Sequence, residues 1–179
     1  MFQTSPIFDQ LPDYPAAHCA TLVELPSGHL LAAWFGGAFE KSPDVVILGA
    51  TYDPATQVWS PPRLLAEIPN RALGQPVFIV RPDGELWLFF NAIMGHDWTS
   101  AQPFLQRSPD NGATWDTPQQ LFDYPGFMFR SRAYVTATRI MLPAYDEVTW
   151  QSRMMYSDDD GQSWQLTDPL TTPQGNIHP

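Results

Sequence analysis

Two segments of this chain spell nearly the same eight-residue turn, and that repetition limits what the rest can be. Residues 108–115 read Ser-Pro-Asp-Asn-Gly-Ala-Thr-Trp and residues 157–164 read Ser-Asp-Asp-Asp-Gly-Gln-Ser-Trp, both of the form S-x-D-x-G-x-[S/T]-W. A worn copy at 51–59, Thr-Tyr-Asp-Pro-Ala-Thr-Gln-Val-Trp, has one extra residue before its tryptophan. The three tryptophans, Trp59, Trp115 and Trp164, are 56 and 49 residues apart. A second marker keeps step with them. P-x-G turns end at Gly28 and Gly84, and each glycine stands 31 residues before the tryptophan of its own copy. Two markers at one separation make a repeat, and repeats of this length build architectures in which each unit covers its neighbour.

Each unit reads as four strands, because runs of β-branched, aromatic and aliphatic residues alternate with Gly, Pro, Asn and Asp. The first unit gives 20–25, 30–35, 45–51 and 59–65; the second gives 77–81, 85–90, 103–108 and 115–122; the third gives 134–137, 140–144, 153–157 and 164–170. Asn111-Gly112 and Asp160-Gly161 are strong hairpin signals, since both residue types accept positive φ. Prolines exclude the helical alternative. There are 19, the longest proline-free run is 144–168, and an interior proline costs a helix about 3 kcal/mol. The expected fold is all-β: antiparallel blades at 16–66, 74–123 and 130–171, with a fourth opening at 175–179. Four-stranded sheets repeating at this interval describe a β-propeller.

Composition narrows the partners. The chain has 179 residues, one lysine and a net charge of −10, so it lacks the basic stripe that nucleic acid or an anionic membrane requires. No apolar run reaches membrane-spanning length. Met1 to Pro6 has neither the basic start nor the apolar stretch of a signal peptide, which makes a cytoplasmic location the expectation. Cys19 is the lone cysteine and the four histidines lack ligand spacing, so no metal or other cofactor is expected.

The S-x-D-x-G-x-T-W element resembles the Asp-box, or BNR repeat, of sialidases. His18-Cys19-Ala20-Thr21-Leu22-Val23, followed by Ala33-Trp34-Phe35-Gly36-Gly37 and Ser42-Pro43-Asp44, is similar to the first blade of that family. The resemblance implies a six-bladed sialidase-like propeller of which this chain is the N-terminal half. Six blades of this size need roughly 300 residues. The resemblance also implies that the Asp-boxes are structural, lie away from the active site, and leave Asp110, Asp159, Trp115 and Trp164 to stability.

The resemblance points to a glycan-active protein of the exo-glycosidase kind with a carbohydrate partner. Asp44 then stands where sialidases carry an acid/base aspartate. Polar residues enter the innermost strands at one phase of the repeat, at His18, Gln75, Arg132 and His178, the expected sugar contacts. The sialidase arginine pattern is broken: His18 stands in place of the first arginine, and Leu48-Gly49-Ala50 in place of a third-strand one. Arg71, Arg130 and Arg132 remain as anion contacts. His96 and Trp98 in the 91–101 insertion, and Tyr145, Asp146 and Glu147 after a strand, are further candidates. Two other readings stay open at this point. One is a lyase for uronate-bearing polysaccharides with His18 as base and Arg132 on the carboxylate; the other is a non-catalytic glycan-binding or scaffold propeller. Open blade edges predict self-association.

Overall fold

The computed structural model describes residues 4–176. The chain folds into three antiparallel meanders and a terminal hairpin. Blade one holds β1 (Ala16–Glu24), β2 (Leu30–Gly37), β3 (Val46–Asp53), β4 (Val58–Trp59) and β5 (Arg63–Ala66). Blade two holds β6 (Leu73–Val80), β7 (Leu86–Ile93), β8 (Ala101–Ser108) and β9 (Gln119–Gln120). Blade three holds β10 (Phe127–Phe129), β11 (Tyr134–Val135), β12 (Ile140–Asp146), β13 (Ser152–Ser157) and β14 (Gln165–Leu166). The two-residue strands β15 (Thr171–Thr172) and β16 (Gly175–Asn176) pair with each other. Among the described residues the one helical element is a short 3-10 turn, Trp98–Ser100.

Strands β2 and β7 are almost wholly buried, which explains why they read as continuous apolar runs instead of alternating ones. One face of blade one packs through Leu31, Phe35 and Ile47 against Leu73, Leu88 and Phe90 of blade two. The far face of blade two packs through Val77, Phe89 and Leu105 against Phe129, Leu142 and Met155. The outer strands are shorter than the sequence suggests. Pro61, Pro62, Pro118 and Pro169 interrupt them, since proline removes a ladder donor. An N-terminal arm precedes β1 and carries no strand pattern in its sequence. Ile7, Phe8, Leu11 and Tyr14 pack on Trp34, Val46 and Leu48 across the outer face of blade one.

Both complete Asp-boxes use one hydrogen-bond pattern. The Ser108 hydroxyl donates to Asp110 at 2.8 Å and accepts from the Gly112 N–H at 2.8 Å, while Asp110 accepts the N–H and hydroxyl of Thr114. Ser157, Asp159, Gly161 and Ser163 repeat this. The worn copy keeps only Asp53, which accepts from the Ala55 N–H and the Thr56 hydroxyl. Trp59, Trp115 and Trp164 are half-buried beside these turns.

The hydrogen bonds from Thr114 and Ser163 hold the Asp110 and Asp159 carboxyls down to about 2. A folded-state value below the unfolded one stabilises the fold above the unfolded pKa and is lost as pH falls through the folded value. The thermal midpoint is therefore expected to drop between about pH 4 and pH 2. An Asp110→Asn, Asp159→Asn double variant is expected to show a lower midpoint at pH 7 and a flatter acid limb. An acid limb identical to that of the parent would refute the assignment.

Candidate functional site

The innermost strands all lose register at the same level. β1 breaks between His18 and Thr21, β6 between Gly74 and Val77, and blade three between Phe129 and Tyr134. The residue at each break is left-handed: Cys19 at φ 53°, Gln75 at φ 52° and Ser131 at φ 61°. Bulges of this kind re-aim neighbouring side chains, and here they line a concave channel of about 1100 Å³.

This geometry changes the phase of the repeat. The equivalent positions are His18, Gly74 and Arg130, followed by Cys19, Gln75 and Ser131. His18, Gln75 and Arg132, treated as one phase on the sequence, belong to three successive phases. The 56-residue interval between Gly28 and Gly84, stepped from His18, leads to Gly74 and Arg130.

Of the sequence-derived residues, Gln75 and Arg132 line the channel, and His18 and Asp44 are not among its lining residues. The exposed His18 ring stacks on Phe35 with centroids 5.5 Å apart. Gln75 is half-buried in the β6 bulge and lines the channel with Cys19. Arg132 is exposed on the blade-three wall. His178 lies outside the described residues. Asp44 is exposed in the loop between β2 and β3, where its carboxylate accepts the Ala38 N–H at 3.0 Å. The hydrogen bond from Ser42 is the largest cause holding its carboxyl below the usual range. That direction favours an ionised base over a proton donor at neutral pH.

Arg130 organises the opposite wall. Its guanidinium carbon lies 5.2 Å from the Tyr145 ring centroid, and its buried Nε has no protein partner. Tyr145 donates its phenol proton to Glu147 and stacks on Trp150 with centroids 6.1 Å apart. Burial first, and the Glu147 hydrogen bond second, push the phenol up to about 12. Burial also raises the Cys19 thiol, against the lowering influence of the Arg130 charge and Gln75. Trp98 joins two blades: its indole N–H donates to Glu40 at 2.9 Å, and its ring fills the space over Gly74 and Phe35. Among the described residues no three His, Cys, Asp or Glu side chains converge on a metal-binding point, and no helix is long and apolar enough to cross a membrane.

The site therefore joins inner-strand bulges to the loops at one end of three blades, with the Asp-boxes at the other end. The family model for the BNR repeat-like domain matches residues 28–179. The chain belongs to that family. No curated protein matches the chain.

Solved propellers match this BNR-repeat chain in fold. The NanB sialidase of Streptococcus pneumoniae superposes with a TM-score of 0.76 at 10% identity, covering 97% of this chain and 47% of that one. The leech intramolecular trans-sialidase gives 0.74 at 11% identity, covering 99% and 46%. The α-L-arabinanase of Penicillium chrysogenum, solved with arabinobiose, gives 0.71 at 20% identity, covering 94% and 54%. This chain thus spans about half the length of the structures it matches, and its fold is that of a partial sialidase-like propeller.

Proposed function

We propose that this chain supplies the sugar-binding half of a glycan-active propeller of the exo-glycosidase kind. The observation that carries the reading is the convergence of Arg130, Gln75 and Cys19 in one channel, with Glu40 near enough to act on the Cys19 thiol and Glu147 bonded to the Tyr145 on which Arg130 packs. Asp44 shares the loop between β2 and β3 with Glu40. The arginine and glutamine supply donors for sugar hydroxyls or a carboxylate. The sialidase and arabinanase likenesses support a carbohydrate ligand. Asp44, held ionised, takes the proton of the water that attacks the anomeric carbon. The leaving oxygen needs a separate proton donor, and Glu40 and Glu147 are carboxyls at the same end of the blades. His18 and Arg132 flank the sugar.

Saturation-transfer NMR on residues 1–179 with 3′-sialyllactose, digalacturonate and arabinohexaose tests this. At least one saccharide is expected to bind, with Arg130→Ala weakening that binding by about tenfold, the loss of one charge-assisted contact. The exposed Arg132→Ala is expected to cost less. Failure of all three saccharides at millimolar concentration, or binding indifferent to Arg130→Ala, would overturn the reading.

A further inference from the structure

The loops joining the second and third strands of each blade form a continuous rim around the channel mouth. Loop 38–45 of blade one meets loop 94–100 of blade two through the Trp98–Glu40 hydrogen bond, and Arg71 braces the latter by donating to the Met94 carbonyl. Loop 94–100 meets loop 147–151 of blade three around Gly126, where the Thr99 carbonyl and the Val148 methyl both approach. Each loop exposes apolar surface: Phe39 is 63% exposed, Met94 37%, Val148 58% and Trp150 54%. Scattered apolar residues need no explanation, but a set repeated at one level of three blades and bordering a channel does.

The blade-three loop is built for this exposure. Asp146, only 2% exposed, accepts the N–H groups of Val148 and Thr149 and the Thr149 hydroxyl, and the Trp150 N–H closes on the Asp146 carbonyl at 2.9 Å. Trp150 is left-handed at φ 57°, an unfavourable conformation for so bulky a side chain. A buried carboxylate and a strained backbone thus hold an indole half in water, with its other face on Tyr145. Strain maintained at a binding loop commonly accompanies a ligand role.

Charge selects the occupant. The rim carries Glu40, Asp44, Asp97 and Glu147 against Lys41 and the Arg71 that braces it, and this acidic excess opposes anionic chains. A neutral sugar fits instead. The C–H face of its ring is electropositive and lies against the negative face of an aromatic ring, while its hydroxyls donate to the rim carboxylates. We infer that Phe39 and Trp150, on the blade-one and blade-three loops of the rim, are two separate aromatic faces of a platform, each binding a neutral sugar unit of an oligosaccharide that extends out of the channel. This rests on the glycan reading of the channel below.

Titrations with arabinohexaose and xylohexaose, followed by saturation transfer and by indole fluorescence, test the platform against 3′-sialyllactose and digalacturonate. Phe39→Ser and Trp150→Asn are suitable changes, since both side chains face water and asparagine accepts positive φ. Their thermal midpoints are expected to match that of the parent. At least one hexasaccharide is expected to bind, and each variant is expected to weaken it by about tenfold, while any acidic-sugar binding that depends on Arg130 is retained. Hexasaccharide binding that ignores both substitutions overturns the platform. Acidic-sugar binding without hexasaccharide binding overturns it and leaves the channel reading standing; no binding of any saccharide overturns both. Loss of self-association in the variants, with no change toward sugars, would assign the rim to a second copy of the chain and also overturn the platform.

Discussion

Replacing Asn91 by alanine is expected to destabilise the chain by about 3 kcal/mol and to disturb the channel wall with it. Asn91 is fully buried in β7. Its side-chain amide donates to the Phe127 carbonyl at 2.7 Å and accepts from the Phe129 N–H at 2.9 Å. The amide thereby imitates a neighbouring strand, joining blade two to the inner strand of blade three. Truncation leaves a buried donor and a buried acceptor unpaired, each worth about 1–3 kcal/mol, and opens a small cavity as well. Asn91→Asp is expected to be no better, because an ionised carboxylate cannot donate to Phe127. Arg130 follows directly on β10 and packs on Tyr145, so the phenol titration should move from about 12 toward the ordinary tyrosine value. Urea unfolding and ultraviolet titration of the phenol check the two effects. A loss under 1 kcal/mol with an unmoved phenol would show that the amide is dispensable.

The parts of this architecture written in the sequence are those with local chemistry. Asp110, Asn111 and Gly112 specify a turn within a few residues, and the doubly buried runs of β2 and β7 announce themselves by lacking polar breaks. Long-range features were less legible. β10 is only three residues and draws its support from Asn91, 36 residues upstream of Phe127. The N-terminal arm packs through Phe8 and Tyr14 without forming strands, so no period marks it. The channel suffered most. A bulge advances one strand by a single residue; against the structure's Gly74 and Arg130 as equivalents of His18, Gln75 is out of phase by one residue and Arg132 by two. Asp44 was legible as a loop carboxylate, but its low pKa, which favours the base role, depends on how Ser42 and Ala38 meet it in space.

The isolated 179-residue chain is expected to show no turnover of a fluorogenic sialoside above the blank and to self-associate. The first half follows from the channel. The resemblance to sialidases implies arginines where this chain has His18 and Leu48-Gly49-Ala50, and the chain covers 47% of the NanB sialidase it superposes on. An open half-channel also leaves a bound sugar in water, where charge-assisted contacts are weakened. The second half follows from the exposed surface, and the structure says which end provides it. The arm already covers the outer face of blade one with Phe8, whose ring centroid lies 5.3 Å from that of Trp34. At blade three, Tyr134 is 62% exposed and Leu170 43%, beside the half-buried Met141, Met154 and Tyr156. Association should therefore run through blade three, driven by apolar surface of the kind that neighbouring blades cover in solenoids and propellers. Light scattering is expected to give a mass above 20.2 kDa, and Tyr134→Ser with Leu170→Lys to return it toward the monomer. Deletion of the arm should have the opposite effect by uncovering the second face. A monomeric parent that turns over the sialoside would refute both halves, and a dimer indifferent to the blade-three changes would refute the location.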